Sequence, residues 1–299
     1  MKVVKIVHNP TAGKRNLPME LLIQIVQKAG FECRYSSTKE NDWKHIEDDV
    51  DYILIAGGDG SVRKIAHILI ENKKTHIPIF LYPSGTANNI GLTMGLERSI
   101  TSFTNLIQSH LTQSFDVGKF TMDEKDHYFL ESLGWGVFPK LIQKMDDHKK
   151  DLKKPLYDEL PLALEKLYKI VKKYNPKYAV IETDQHRLAG FFLMIEIMNT
   201  KSIGPRLTLA PLASTRDGYL DLVLIPAHQR IHLLKYLEKR MKGEKAYFKL
   251  HPLRVKYVNI EWYGKRLHAD DAVMTCAKEK ISVKAAEEQL RFIAPKKFG

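Results

Sequence analysis

Over the first 115 residues, short apolar runs of strand character alternate with amphipathic stretches of helical spacing: Val3–Val7, Met19–Lys28, Phe31–Tyr35, Tyr52–Ala56, Val62–Ile70 and Ile77–Tyr82. That alternation predicts βαβ units around a buried parallel sheet. From about Asp116 the pattern changes to short strand-like runs between turn residues, at Tyr128–Leu133, Tyr178–Glu182, Gly190–Met198, Leu220–Ile225, Val255–Glu261 and Ile281–Val283. These predict an antiparallel, sandwich-like β domain. Two helices are expected to interrupt it, at Pro161–Tyr174 and Ile231–Lys242, the second burying Ile231, Leu234 and Leu237. The pattern therefore predicts two domains. An α/β domain with a parallel sheet spans 1–120 and a β-rich domain spans 121–285, which leaves the segment 286–299 able to pack back on the first.

Ligands of open α/β sheets bind at the carboxyl ends of the strands, and three polar, glycine-containing turns fall there. The first, Asn9-Pro10-Thr11-Ala12-Gly13-Lys14, has an Asn side chain able to fix the loop and a glycine that admits backbone to a phosphate, with Lys14 beside it. It lacks the earlier glycine and the Ser/Thr of a Walker P-loop. The second is Gly57-Gly58-Asp59-Gly60-Ser61, with the helix expected to begin near Val62. Its backbone N–H groups and the helix end suit an oxyanion. Asp59 then holds Mg²⁺, meets a ribose or hydroxyl, or simply closes a tight Asp-Gly turn. The third, Pro83-Ser84-Gly85-Thr86-Ala87-Asn88-Asn89, offers a second anion site at Gly85 and Thr86, and in Asn88 a partner for ribose, base or phosphate.

Composition narrows the field only a little. The chain has 44% hydrophobic and 27% charged residues, as in an ordinary globular protein, and Cys33 and Cys276 form neither a disulfide framework nor a metal motif. No apolar run approaches a membrane span and the first strand is too polar for a signal peptide, so a cytoplasmic location is expected. A balance of 47 basic against 35 acidic residues favours a phosphate-bearing partner. The basic residues are dispersed and no nucleic-acid motif accompanies them, so no nucleic acid is expected.

Taken together, the three turns resemble the diacylglycerol kinase catalytic family, in its bacterial lipid-kinase branch, which is related to NAD kinases and sphingosine kinases. Asp116-Val117-Gly118, Gly134-Trp135-Gly136, Asn199, Pro211 and Asp217-Gly218-Tyr219-Leu220-Asp221 extend the resemblance over essentially the whole chain. It implies an ATP- and Mg²⁺-dependent kinase for a lipid bearing a free hydroxyl, one that visits an anionic membrane surface from the cytoplasm. ATP would lie on Gly57, Gly58, Asp59, Gly60, Ser61, Val62 and Arg63, with Asn9 and Gly13 of the first turn, Gly85, Thr86 and Asn88 of the third, and a hydroxyl near Ser37 or Thr38. A structural Mg²⁺ would be held by Asp217 with the main-chain oxygens of Ser214 and Tyr219, while an Asp-Gly turn without metal is the plainer alternative.

Several family residues are exchanged. The Asn-Glu pair expected after Ser61 is Arg63-Lys64, and the Asp expected after Asn88 is Asn89. His268-Ala269-Asp270-Asp271-Ala272 aligns with the family's Asp-Gly-Glu and puts Ala272 where the general base should be. Asp271 is the substitute base if the segment is extended, because adjacent strand residues face opposite ways. A positioned base contributes about 10²–10⁴-fold in rate. Two other readings follow: a nucleotide- or lipid-binding regulator that has lost catalysis, and a kinase for a soluble hydroxyl compound such as NAD.

Overall fold

A computed structural model describes residues 1–13, 17–109, 111–151, 159–276 and 280–295, with the side chains of 149–151 left aside. Lys14 lies outside the described residues. The chain forms two compact units, Met1–Asp116 with Glu287–Gly299, and Val117–Ala286.

The first unit contains β1 (Val3–His8), α1 (Met19–Lys28), β2 (Glu32–Ser37), β3 (Tyr52–Gly57), α2 (Asp59–Glu71), β4 (Ile79–Pro83), α3 (Asn89–Thr93) and α4 (Ile100–Ile107). Its strands run parallel in the order β2-β1-β3-β4. Beside β4 lies the end of the final strand (Lys280–Ile293), where Phe292 pairs with Ile79 in parallel. All six residues of β1 are buried, as expected of a strand covered on both faces. Helix α1 turns Leu22, Ile25 and Val26 inward, and α4 is capped by the Ser99 hydroxyl, which accepts the Ser102 N–H at 3.0 Å.

The strand β5 (Thr112–Met122) carries the chain into the second unit. There follow β6 (Lys125–Phe129), β7 (Ser132–Gly136), α5 (Val137–Asp151), α6 (Leu160–Lys173), β8 (Lys177–Thr183), β9 (Arg187–Met198), β10 (Ser202–Ile203), β11 (Leu207–Thr208), β12 (Leu220–Pro226), α7 (Arg230–Met241), β13 (Leu253–Val255), β14 (Tyr257–Trp262), β15 (Arg266–Ala269) and β16 (Ala272–Thr275). The pairing is antiparallel and centres on β9, whose first half joins β8 and whose second half lies between β7 and β12. One core, with Trp135, Ile195, Ile197, Leu222, Val258 and Ile260, fills the β interior. A second packs α5, α6 and α7 against Met198, Val223 and Ile225.

Several expectations are corrected. Helix α2 begins at Asp59, not near Val62, because extended Gly58 serves as its N-cap and an acidic first-turn residue suits the helix dipole. In α7 the buried face is Leu233, Tyr236 and Leu237, while Ile231 is 63% exposed. The run Tyr128–Leu133 is split between β6 and β7, because the N–H groups of Leu130 and Glu131 turn to the Asp270 carboxylate. Helix α5 has no counterpart among the helices that the hydrophobic pattern predicts.

Candidate functional site

The three glycine-bearing turns meet at the carboxyl ends of β1, β3 and β4, and they meet by backbone. A Cβ on Gly85 would lie 2.5 Å from the Gly58 Cα, and one on Gly58 would lie 2.9 Å from the Gly85 Cα. Gly13, at φ +66°, has no room for a Cβ either, since one would fall 2.1 Å from the Ser84 carbonyl oxygen. Only glycine permits these approaches. Hydrogen bonds hold the arrangement: Asn9 N–H donates to the Ala56 carbonyl at 2.9 Å, and Ser84 N–H donates to the Gly57 carbonyl at 2.9 Å. The Asn9 Oδ1 accepts both the Thr11 N–H and its hydroxyl, so this side chain does fix its turn. Thr38 N–H donates to the His8 carbonyl at 2.8 Å, bringing Ser37 and Thr38 beside the end of β1, where the Ser37 Oγ accepts the Lys39 N–H.

Each predicted residue can now be placed. Asp59 and Gly60 open α2, whose first-turn N–H groups lie at the positive end of the helix. Arg63 brings its guanidinium over Gly60, 3.5 Å from where a Cβ would stand. Ser61 and Val62 are buried, and the Ser61 Oγ packs back against Gly57, so both would meet a ligand only through backbone. Asp59 is turned elsewhere: its carboxylate accepts the N–H groups of Asn89 and Ile90 at 3.0 and 3.1 Å, capping α3 and tying the second turn to the third. Thr86 is half-buried and its carbonyl accepts from Arg98.

Asn88 is the most telling member. It is buried, left-handed at φ 52° and ψ 48°, and gives its Nδ2–H to the Pro83 carbonyl at 2.8 Å. That bond fixes the amide's orientation and leaves Oδ1 buried without a protein partner, where the Gly58 and Gly85 turns converge. A buried acceptor left open needs a donor. A ribose hydroxyl or an adenine amino group fits it, and a phosphate does not.

In the second unit, the segment aligned with the family's base is a tight hairpin and not an extended strand. Ala269 pairs with Ala272 across the two-residue turn Asp270-Asp271, with Asp270 at φ 53°. The Asp270 carboxylate turns inward and accepts the N–H groups of Leu130, Glu131 and Ser132 at 2.7 to 3.2 Å. Asp271 and Ala272 are both exposed at the tip. Behind the hairpin, fully buried His268 donates its Nδ1–H to the Asp270 carbonyl, 2.7 Å away, and its Nε2 faces both oxygens of fully buried Glu196 at 3.1 Å. Burial pulls the His268 imidazole down, but the Glu196 carboxylate outweighs it and the ring is raised above its ordinary range; burial also raises Glu196. The pair therefore holds its proton more tightly than two solvated side chains would. Gly134 makes this possible, because a Cβ there would lie 2.1 Å from the Glu196 carboxylate.

Asp217 is already occupied. Its Oδ1 accepts the Tyr219 N–H at 3.1 Å and its Oδ2 accepts from the Arg254 guanidinium at 2.9 Å. The Ser214 Oγ accepts the Arg216 N–H at 3.4 Å. Among the described residues no group of three or more His, Cys, Asp or Glu is placed to hold a metal ion. With both carboxylate oxygens committed and a cation at one of them, these residues do not fit a resident Mg²⁺.

Comparison with known proteins agrees with this fold. Residues 3–120 match the family model of the diacylglycerol kinase catalytic domain, and residues 157–286 match that of the YegS C-terminal NAD kinase beta sandwich-like domain. A diacylglycerol kinase of Bacillus subtilis is 25% identical over 82% of this chain and 80% of its own length. One of Staphylococcus saprophyticus is 26% identical over 87% and 85%. The crystal structure of a diacylglycerol kinase from Bacillus anthracis shares the fold at a TM-score of 0.69, with 18% identity over 99% of this chain and 97% of that one. An Archaeoglobus fulgidus NAD kinase in complex with ATP aligns at a TM-score of 0.54, with 12% identity over 99% and 95%.

Proposed function

We propose that this chain, whose residues 3–120 match the diacylglycerol kinase catalytic domain and whose residues 157–286 match the YegS C-terminal domain, is a kinase of that family and transfers the γ-phosphoryl group of ATP, delivered with Mg²⁺, to the hydroxyl of a diacylglycerol-like lipid. The observation that carries this reading is the bare-backbone cradle where Gly58 and Gly85 touch, with the open Asn88 Oδ1 beside it. The phosphates would lie on the first turn of α2 under Arg63, and the nucleoside would supply the donor that Asn88 lacks. Asn9, Gly13, Ser37, Thr38 and Thr86 would line the remainder. Asp59 acts here as a positioning residue, fixing α3 and with it Asn88. In the transfer, a new bond joins the lipid oxygen to phosphorus as the bond from phosphorus to the ADP oxygen breaks, and the hydroxyl proton passes to a base, for which Asp271, one residue before the family's Glu position, is the candidate.

Phosphoryl transfer depends mostly on positioning and on neutralising charge, which supports turnover even without the family's Glu. A cytoplasmic protein meeting a membrane from one side fits the net charge of +12, since each well-placed basic residue adds roughly 1 kcal/mol of attraction to anionic lipid. Among the described residues, no helix is long and apolar enough to cross a membrane.

One feature favours a second reading, a nucleotide- or lipid-binding regulator: Ala272 occupies the base position and the nearby Asp270 carboxylate is spent on three backbone N–H groups. The deciding experiment follows label from γ-labelled ATP with Mg²⁺ into lipid in mixed micelles, for wild type, Asp271→Asn and Ala272→Glu. Labelled lipid that falls with Asp271→Asn supports the kinase with that base. ATP binding without label, with label appearing in Ala272→Glu, supports the regulator.

A further inference from the structure

We propose that Arg254 is a built-in cation that takes the place of a metal ion at the Asp217-Gly218-Tyr219 turn, so that this turn stands without Mg²⁺. Two side-chain contacts and the backbone register fix Arg254. Its Nη2 donates to the Asp217 Oδ2 at 2.9 Å. Its central carbon lies 4.0 Å from the centroid of the Tyr219 ring, a cation over an aromatic face. The Arg254 backbone is set by the ladder between β12 and β13, in which it is the direct partner of Asp221. Lys256, two residues on along the chain, adds a second positive charge 5.6 Å from the same ring.

The consequence is exclusion as well as replacement. Mg²⁺ requires near-octahedral oxygen ligands at about 2.0–2.1 Å and gives up its waters reluctantly. Both Asp217 oxygens already have a partner, Oδ1 accepting the Tyr219 N–H at 3.1 Å and Oδ2 the Arg254 guanidinium at 2.9 Å. A divalent ion approaching Oδ2 would have to displace a guanidinium or sit against it, and Lys256 would add to the repulsion. The charges balance without metal: Asp217 and Asp221 are two neighbouring carboxylates, one of them partly buried, and Arg254 and Lys256 supply two positive charges beside them. Arginine suits the task better than lysine, since its planar fork both pairs with a carboxylate and stacks on a ring.

The test uses the full chain freed of nucleotide and of metal, so that it is independent of the kinase reading. The measurements are bound Mn²⁺ by electron paramagnetic resonance and the shift of Tm on adding Mg²⁺, for wild type, Asp217→Asn, Arg254→Met and the double variant Arg254→Met with Asp217→Asn. Wild type is expected to give no bound-Mn²⁺ signal that depends on Asp217 and no Tm response. Arg254→Met, which keeps an unbranched stem on Tyr219 without charge, is expected to lose stability in the absence of metal. It should recover on adding Mg²⁺, by roughly 3 °C at ten times the dissociation constant, and the double variant should not. Bound Mn²⁺ in wild type that disappears in Asp217→Asn overturns the proposal, whether or not the other variants fold. So does an Arg254→Met protein that neither loses stability nor responds to metal, for then Asp217 needs no cation.

Discussion

The Nε2 of His268 lies 3.1 Å from each carboxylate oxygen of Glu196, with neither side chain exposed at all. Removing one partner of a buried pair strands the other in an apolar interior, which costs about 3–5 kcal/mol. Glu196→Ala is therefore expected to lower the unfolding free energy by that amount. Gly134→Ala should be comparably harmful, because its Cβ would lie 2.1 Å from the carboxylate. Chemical denaturation of both variants measures the loss; a change below about 1 kcal/mol, the average for any substitution, would show the pair to be dispensable.

The same pair gives stability a pH dependence of definite sign. Both groups are raised, Glu196 by burial and His268 by Glu196 against the opposing effect of burial. The folded state thus binds more protons than the unfolded state, and the contribution is complete below the imidazole's ordinary range and is lost as pH rises through the folded value. Tm should fall from neutral toward alkaline pH in wild type, and the slope should flatten in a His268→Gln variant. A wild-type Tm that rises over that interval contradicts the assignment.

Gly85→Ala should weaken ATP binding at least tenfold while leaving far-UV circular dichroism unchanged. The added methyl would lie 2.5 Å from the Gly58 Cα and 2.7 Å from the Asn88 Oδ1, so it forces the two turns apart and crowds the open acceptor. Titration with a fluorescent ATP analogue tests this, and unchanged affinity would place the nucleotide elsewhere.

Asp270 and Asp271 are adjacent but should behave oppositely. Asp270→Asn replaces a carboxylate that accepts three backbone N–H groups, and bonds to a charged group are worth about 1.5–3 kcal/mol each. It should destabilise the fold. Asp271→Asn, at the exposed tip, should cost less stability than Asp270→Asn, while lowering kinase turnover by roughly 10²-fold or more as the candidate base. Thermal melts and label transfer on the same samples separate the two effects.

Much of the meeting of the three turns is legible in the amino-acid sequence, because glycines, Asn9 and the strand-to-helix junctions are local signals with local causes. The features that are not legible depend on partners far away along the chain. Glu196 stands in the apolar run Phe191–Met198 with its partner on a different strand, and the only hint of the pair is an acid amid seven apolar residues. The Asp270-Asp271 hairpin misleads for a related reason: neither residue demands a turn, and the inward pull comes from N–H groups at 130–132. Asp59 reads as a phosphate-side group from its neighbours in the second turn, whereas the donors it meets, at Asn89 and Ile90, belong to the following βα unit. Arg254 carries no motif, and its contacts with Asp217 and Tyr219 follow from the register of β13 on β12, which no local signal announces.

The pairing of Ile79 with Phe292 has a consequence for biogenesis. The first unit's sheet lacks a strand until translation has passed through the whole of Val117–Ala286. While the ribosome makes that insert, β4 stands as an unprotected edge, open to pairing with other chains. The nascent first unit should therefore depend on chaperones, and a premature stop anywhere in the second unit should yield an aggregating fragment, not a free-standing α/β domain.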